Sequence, residues 1–159
     1  MFWIRKKSIE IVAPLTGRYL PLEEVPDQVF SQKIMGDGFA IEPEKGEVYA
    51  PVDGEITNLF PTKHAIGIKA KSGLEILIHV GIDTVELKGD GFTVHVSEGD
   101  RVSTGQKLLD FDMEKLKNGG KSSITPIIFP ESAAWTLELY ETGSLLAGKT
   151  VVARLEQKK

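Results

Sequence analysis

Short apolar runs separated by turn-forming residues restrict the fold of this 159-residue chain more than any other feature. Its 16 glycines and 8 prolines are scattered along the whole length, so each apolar run is brief. Runs of this kind, bounded by turn residues, are typical of β-strands. They occupy residues 9–13, 47–50, 55–60, 64–70, 74–80, 92–96, 107–111, 126–129, 134–139 and 150–155. We therefore predict an all-β protein, a compact antiparallel sandwich or barrel.

Helical periodicity is confined to two short stretches, residues 22–30 and 113–117, and we predict one or two helical turns in each. The length matches a single domain, and no linker rich in serine and glycine divides the chain. We therefore assign residues 11–159 to one domain and residues 1–10 to an N-terminal tail.

Charge and composition exclude several classes of protein. The chain has 19 Lys and Arg residues against 23 Asp and Glu residues, so no basic excess is available to bind nucleic acid. The absence of cysteine excludes a disulfide scaffold, a thiol nucleophile, a thiolate zinc site and an iron–sulfur cluster. No apolar stretch is long enough to span a membrane, and the segment MFWIRKK lacks the order of a secretory signal. We predict a cytoplasmic protein, with a weak membrane-surface contact through Phe2 and Trp3 as an alternative.

Two pairs of similar segments recur at unequal intervals. The motif A-P-x-x-G occurs at residues 13–17 and 50–54, and the tetrapeptide G-D-G-F occurs at residues 36–39 and 89–92. Unequal spacing excludes a solenoid of regular repeats. The similarity fits either an internally duplicated, pseudo-symmetric sandwich or the frequent use of these residues in turns.

Residues 143–150, with the sequence GSLLAGKT, satisfy the P-loop pattern G-x-x-x-x-G-K-[ST]. A working P-loop needs a strand before it and a helix after it, because the helix N-terminus binds the phosphates. Here Thr150 is followed by VVARLEQKK, whose β-branched start predicts a strand. We therefore expect no nucleotide site at this segment.

Two of the three histidines, His64 and His79, lie in predicted strands on either side of the turn signal Lys71-Ser72-Gly73. A two-residue turn, either Lys71-Ser72 or Ser72-Gly73, places both imidazoles on one face of a hairpin, with Cβ atoms about 5 Å apart or somewhat more. A three-residue loop places them on opposite faces instead. We predict the shorter turn and neighbouring imidazoles.

Neighbouring imidazoles suit three roles: metal ligands, a nucleophile with a supporting group, or a structural hydrogen-bonded pair. Asp83, four residues after His79, extends the set to two histidines and one carboxylate, the smallest catalytic zinc arrangement. Alternatively, Asp83 caps a turn, and Gly81 either ends the strand or allows close backbone approach to His79. The third histidine, His95, has no such partner, and we predict a satisfied surface histidine on a strand.

Segments in order along the chain resemble the glucose-type enzyme IIA of the bacterial phosphoenolpyruvate-dependent sugar phosphotransferase system. The most specific are T-K-H-A at residues 62–65 and I-H-V-G-I-D-T-V-E-L-K-G at residues 78–89. Further matches are V-P-D-Q-V-F at 25–30, G-D-G-F-A-I at 36–41, A-P-V-D-G at 50–54, S-E-G-D-R-V at 97–102, G-Q-K-L-L at 105–109 and T-P-I-I-F at 125–129. The resemblance covers nearly the whole chain, from the region of Ile11 to the C-terminus.

This resemblance implies a phosphotransferase component with a β-sandwich of duplicated, barrel-like topology and with no cofactor or metal. By match of residue to residue, His79 accepts a phosphoryl group on Nε2 from phospho-HPr and passes it to a cysteine of the sugar-specific enzyme IIB. His64 supports His79, and the Thr62 hydroxyl orients His64. Asp37 and Asp83 match the carboxylates that meet an arginine of HPr.

Val80 departs from the family pattern, which commonly has phenylalanine after the phosphorylated histidine. We expect Phe39 and Val80 to contribute apolar contacts to HPr. The smaller side chain of Val80 would then shrink the apolar rim and change the preference for partners.

Three rival functions use the same residues or turns. A lysostaphin-type zinc hydrolase would employ His64, His79 and Asp83, but its His-x-His ligand pair is absent. A lipoate or biotin carrier has turns like residues 98–106, but it needs a modified-lysine hairpin that the chain lacks. A purely regulatory protein, which binds transporters or kinases according to its phosphorylation state, shares the same fold and His79.

Overall fold

The computed structural model describes residues 7–140 and 143–158, and strands predominate there as predicted. The strands are β1 (Ser8–Val12), β2 (Gly17–Pro21), β3 (Asp37–Pro43), β4 (Glu47–Tyr49), β5 (Gly54–Leu59), β6 (Ala65–Ala70), β7 (Glu75–His79), β8 (Phe92–Val94), β9 (Arg101–Val102), β10 (Lys107–Phe111), β11 (Thr125–Phe129), β12 (Trp135–Leu139), β13 (Ser144–Leu145) and β14 (Val151–Gln157). The α-helices are short: α1 (Gln28–Ser31) and α2 (Met113–Asn118). Turns of 3-10 helix occupy Leu22–Glu24, Thr84–Leu87 and Ser132–Ala134. The all-β prediction and both predicted helical stretches are confirmed.

The strands form antiparallel sheets that pack against one another. The large sheet has eight strands in the order β13-β2-β3-β11-β7-β6-β5-β9, and the two smaller sheets have the orders β1-β14-β12 and β4-β10-β8. Strand β14 replaces the helix that a P-loop requires after Thr150, so the P-loop match is a coincidence of sequence, as expected.

Two substantial strands escaped the sequence analysis, β2 with the sequence GRYLP and β3 with the sequence DGFAIEP. Each begins or ends with glycine or proline, which hid its apolar centre. At the N-terminus, residues 8–10 pair with β14 as part of β1, so the predicted tail ends earlier than residue 10. The alternative membrane contact of Phe2 and Trp3 lies outside the described residues.

The repeated A-P-x-x-G segments mark a duplicated fold. Each segment turns into a strand of the large sheet, β2 or β5, and each side chain before the glycine accepts a backbone hydrogen bond. The Ala147 N–H donates to Thr16 Oγ1 over 3.0 Å, and the Thr104 N–H donates to Asp53 Oδ1 over 2.7 Å. The large sheet accordingly consists of two corresponding halves. Counted inward from one edge the strands are β13, β2, β3 and β11, and counted inward from the other edge their counterparts are β9, β5, β6 and β7.

Both faces of the large sheet are covered with apolar side chains. Along β7 and β11, Ile78 and Ile127 belong to the main core, whereas Leu77 and Ile128 belong to a second apolar cluster. The second cluster also contains Phe30 and other residues of the 20–30 segment, which folds over this face. Because strand side chains alternate between faces, the second cluster forms the floor on which the candidate site is built.

Candidate functional site

The site lies where β7 ends, on the face of the large sheet that carries the second apolar cluster. His79 is the last residue of β7, and it follows Leu77 on that face because side chains alternate along a strand. The ring of Phe30, from α1, lies 5.0 Å from the His79 ring, centroid to centroid. His79 is therefore half-buried between the sheet and the segment that crosses it.

His64 precedes β6 and meets His79 edge to face. The ring centroids are 4.8 Å apart with an angle of 81° between the ring planes. The Val80 N–H donates to the His64 carbonyl over 2.7 Å, which ties the two backbone segments together. Phe60 lies 5.6 Å from His64, so ring contacts connect Phe60, His64, His79 and Phe30 in turn. The prediction that the imidazoles are neighbours is confirmed.

The hairpin register that led to this prediction is nevertheless wrong. Gly73, at φ +95°, closes a three-residue loop in which the Ala70 N–H donates to the Leu74 carbonyl, and His79 lies opposite Ala65. In a regular strand this register would turn His64 to the opposite face.

His64 instead lies outside the pleated strand. Lys63, immediately before it, has a left-handed φ of +62°, and β6 begins only at Ala65. Because His64 is not part of the strand, its side chain does not follow the alternation of β6. It can therefore lie on the same side as His79.

Both Nδ1 atoms of the pair have hydrogen-bond partners. The His79 Nδ1–H donates to the Gly81 carbonyl over 2.8 Å, so its neutral form carries the lone pair on Nε2. Thr62 Oγ1 and His64 Nδ1 are joined by a hydrogen bond of 2.7 Å. The carbonyl acts on His79 and the hydroxyl acts on His64, so the two imidazoles are oriented separately.

Burial favours the neutral form of both imidazoles. Loss of hydration lowers the pKa of His64 to about 4, with a further contribution from neighbouring His79. Burial also lowers the pKa of His79, although the Gly81 hydrogen bond and the carboxylates of Asp27 and Asp83 oppose the change. A neutral imidazole with a free nitrogen is a nucleophile, whereas an imidazolium is not.

The predicted docking residues fall into two groups. Asp37 and Asp83 reach the surface; Asp37 is half-buried near the Lys33 ammonium, 3.5 Å away, and Asp83 is exposed with a left-handed φ of +60°. Phe39 and Val80 are 0% exposed and pack in the main core. The prediction that Phe39 and Val80 contact HPr directly is therefore wrong for this conformation. Val80 is also not part of an exposed apolar rim.

Four exposed apolar side chains were missed by the sequence analysis: Val29, Ile34, Met35 and Val85. Val29 is next to Phe30 in α1, Ile34 and Met35 follow that helix, and Val85 lies in the 3-10 helix after Asp83. Their exposed fractions range from 40% to 67%, which is large for apolar side chains. The polar residues between them hid the patch in the sequence.

The zinc alternative finds no support in the donor set. Among residues 7–140 and 143–158, no three His, Cys, Asp or Glu side chains converge in a way that could hold a metal ion. His95, the third histidine, directly follows β8 rather than lying in a strand as predicted, and its Nε2 forms a 2.6 Å hydrogen bond with Asp110 Oδ2 of β10. The prediction of an exposed, hydrogen-bonded histidine is confirmed.

Comparisons with known proteins agree along nearly the full chain. Residues 9–135 match the family model for the phosphoenolpyruvate-dependent sugar phosphotransferase system, EIIA 1. The chain is 49% identical over 148 residues to the PTS system glucose-specific EIIA component of Staphylococcus aureus strain MRSA252, covering 92% of this chain and 89% of that protein. The corresponding component of Staphylococcus epidermidis strain ATCC 12228 is 48% identical over 147 residues, with the same shares covered.

The fold is also similar to a solved structure, glucose permease IIA from Mycoplasma capricolum. The TM-score is 0.87 and the sequence identity is 40%, over 96% of this chain and 99% of that chain. In the described ranges, no helix has the length and apolar character needed to cross a membrane.

Proposed function

Because this chain belongs to the EIIA family of the phosphoenolpyruvate-dependent sugar phosphotransferase system, we propose that His79 is the residue that carries its phosphoryl group. As a member of that family, the chain is a phosphocarrier that acts in sugar uptake. The observation that carries the proposal is the contact between two imidazoles whose Nδ1 atoms both have hydrogen-bond partners. Only the Nε2 atoms of this pair remain for chemistry.

Acceptance of the phosphoryl group follows from the hydrogen bond to the Gly81 carbonyl. His79 Nε2 attacks phosphorus, a new N–P bond forms, and the N–P bond to the donor histidine of phospho-HPr breaks with its electron pair staying on that nitrogen. The proton on His79 Nδ1 stays in place, and the Gly81 carbonyl stabilises the positive charge that develops on the ring. Little covalent help is needed, because phosphoryl transfer depends mainly on position and charge.

His64 supports the phosphorylated state. In this role His64 Nδ1 accepts from the Thr62 hydroxyl, a direction that their 2.7 Å hydrogen bond allows, and the proton on Nε2 is donated to a phosphoryl oxygen on His79. The phosphoryl charge favours the protonated form of His64, which opposes the effect of burial on its pKa. His64 therefore acts most strongly when the group is present and is about to leave.

The acceptor is a cysteine thiolate of the enzyme IIB component, by analogy with the family, and glucose is the sugar that the names of the relatives favour. The thiolate attacks phosphorus, the S–P bond forms, and His79 leaves as the neutral imidazole. A carrier requires an accessible phosphoryl group, because two partners must reach it in turn, and the side chain of His79 is half-buried rather than fully buried. We propose a cytoplasmic location on the same basis.

Docking is apolar at its centre and acidic at its rim. The exposed side chains of Val29, Ile34 and Met35, on and directly after the helix whose Phe30 contacts His79, provide the apolar area. Asp37 and Asp83 supply the negative charge that a basic residue of HPr meets. Rim charges act mainly on the association rate and its salt dependence.

The test uses the purified protein with phosphoenolpyruvate, enzyme I and HPr, followed by intact mass. We expect one added phosphate, labile in acid and stable in alkali, on His79. His79→Gln should abolish the addition, and His95→Gln, which removes the surface histidine, should leave it unchanged. Phosphate on the His79→Gln protein would overturn the assignment.

A further inference from the structure

Thr84 has a buried hydroxyl that the proposed function does not use. Among the described residues, His64, Thr84 and Thr125 are the buried polar side chains, and Thr84 is 0% exposed. Its Oγ1–H donates to the carbonyl of Val80, the residue directly after His79. A hydroxyl held so deep normally has a structural or functional reason, because burial removes its hydrogen bonds with water.

The peptide group between Gly81 and Ile82 is held from both ends. Its carbonyl accepts the His79 Nδ1–H over 2.8 Å, and its N–H donates to the Ser122 carbonyl over 3.0 Å. Because a peptide unit is planar, the bond to Ser122 also sets the direction of the carbonyl. Val80 is fixed on the preceding side by its N–H bond to His64 and its carbonyl bond to Thr84.

Tight packing removes the remaining freedom at Gly81. Gly81 has a φ of +75°, and a Cβ added there would lie 2.6 Å from Thr84 Cγ2 and 2.8 Å from the Ser122 carbonyl oxygen. Thr84 therefore acts twice, through its hydroxyl on Val80 and through its methyl group on Gly81.

Ser122 is itself anchored by its neighbour. The Lys121 N–H donates to the Leu116 carbonyl of α2 over 2.8 Å, and the Lys121 ammonium lies 2.7 Å from Glu86 Oε1. The Lys121 side chain is only 17% exposed, so this pair is partly shielded from water. The segment after α2 is thus tied to the 3-10 helix that contains Thr84 and Glu86.

We propose that Thr84 and the Ser122 carbonyl are positioning elements that hold the Gly81 carbonyl against His79 Nδ1 and thereby select the tautomer of His79. The catalytic consequence rests on the proposed function, since the tautomer decides whether Nε2 is free to attack phosphorus. The selection itself is a property of the unphosphorylated protein. Thr84 does not touch the reacting atoms.

The decisive measurement is the pattern of long-range ¹H–¹⁵N correlations of the His79 ring in the unphosphorylated protein at neutral pH. The wild type should show the Nδ1–H tautomer. Thr84→Val keeps the shape and loses the hydroxyl, and it should lower the ratio of Nδ1–H to Nε2–H tautomers about fivefold, the effect expected from one weakened hydrogen bond. Thr84→Ser keeps the hydroxyl and should retain most of the wild-type ratio.

Thr16→Val is the matched control. It removes a threonine hydroxyl that also bonds the backbone, at Ala147 on the other half of the large sheet, and it should leave the His79 tautomer unchanged. In the phosphorylation assay, Thr84→Val should lower the limiting rate about threefold to tenfold with little change in the half-saturating concentration of phospho-HPr. If Thr84→Val does not fold, Thr84→Ala replaces it in both measurements.

A wild-type tautomer ratio in the Thr84→Val or Thr84→Ala protein overturns the proposal. So does an equal shift in the Thr16→Val protein. Failure of the wild type to accept phosphate refutes the proposed function alone, because the tautomer measurement needs neither HPr nor phosphate.

Discussion

The two halves of the large sheet share one backbone plan but carry different side chains at corresponding ends. In the first half Gly17 of β2 lies opposite Pro43 of β3, and in the second half Gly54 of β5 lies opposite Ala70 of β6. The two glycines hold the same place in the repeated A-P-x-x-G motif, so Pro43 corresponds to Ala70. Each glycine also runs close to its neighbour strand, since an added Cβ would lie within 2.4 Å of a carbonyl oxygen in both.

Asp37 lies six residues before Pro43, and His64 lies six residues before Ala70, so Asp37 and His64 occupy corresponding positions in the two halves. The same register pairs Ile128 of β11 with His79 of β7, because Gly38 lies opposite Ile128 and Ala65 lies opposite His79. One half therefore presents two imidazoles where the other presents a carboxylate and a buried isoleucine.

The two halves differ in the turns and hydrogen bonds that surround these corresponding positions. Asp37 bonds within its own turn, where the Gly38 N–H donates to Asp37 Oδ1, and Ile128 is 0% exposed in the second apolar cluster. At the other end, Lys63 bends the chain so that His64 leaves the strand, and the Gly81 carbonyl fixes His79. The duplicated scaffold supplies two equivalent places, and local turns with a few polar groups convert one of them into a reactive pair.

The largest effect expected from breaking this asymmetry is that of His64→Gln. The variant should still accept phosphate from phospho-HPr, but its transfer to the enzyme IIB cysteine should fall about 100-fold or more. Glutamine keeps an amide donor but cannot take up positive charge beside the phosphoryl group. Single-turnover transfer measured by rapid quench tests this, with His95→Gln as control, and wild-type onward transfer by His64→Gln would contradict the supporting role.

A histidine at Ile128, the position that corresponds to His79 in the half without the histidine pair, tests whether the scaffold alone creates the site. Ile128→His should lower the free energy of unfolding by about 2–4 kcal/mol, because it replaces packed apolar volume with a polar ring that has no supporting carbonyl. Urea denaturation measures the loss, and Ile128→Val, expected to cost about 1 kcal/mol, is the control for volume. Intact mass should still show a single phosphate; a second phosphate would mean that the scaffold alone creates the site.

The exposed apolar side chains on and after α1 provide the next test, since Phe30 of that helix contacts the His79 ring. Ile34→Asp, at a side chain 67% exposed, should lower the second-order rate of phosphorylation by phospho-HPr about tenfold through weaker binding. Leu146→Asp, at an apolar side chain 57% exposed next to β13, should leave that rate unchanged. Equal losses of this rate in the two variants would contradict the proposal, because they would show that the position of the exposed apolar side chain has no influence on phosphorylation.

The smallest effect expected is on stability against acid. The ordinary pKa of histidine is 6.5, and that of His64 is lowered to about 4 in the folded protein, so between these values the unfolded chain binds a proton that the folded protein does not. The free energy of unfolding should therefore fall as the pH drops from 6.5 to 4, and His79, whose pKa is also lowered, acts in the same direction. Urea titrations across this range should show a smaller decline for His64→Gln than for wild type, and parallel curves would contradict it.

Much of this architecture follows from local sequence. The apolar runs predict most strands, the segment 113–117 predicts α2, and the β-branched residues after Thr150 predict β14 in place of a P-loop helix. Strands β2 and β3 were missed because their glycine and proline residues conceal pairing that only neighbouring strands provide. The burial of Phe39 and Val80 could not be predicted either, because a sheet covered on both faces has apolar residues on each face in turn.

The sequence by itself determined the strand-rich class, the repeated A-P-x-x-G turns and the presence of two histidines flanking one loop. The spacing of the two histidines allowed hairpins with a two-residue turn or a three-residue loop. The sequence alone favoured the two-residue turn, whereas the structure has the three-residue loop. Tertiary structure decided the rest, because Gly73 closes a three-residue loop, Lys63 turns His64 back toward its neighbour, and the Ser122 carbonyl reaches the 81–82 peptide from another part of the chain. The Ser122 contact joins residues far apart in sequence, and the positive φ angles of Gly73 and Lys63 are set by backbone conformations that apolar spacing does not record.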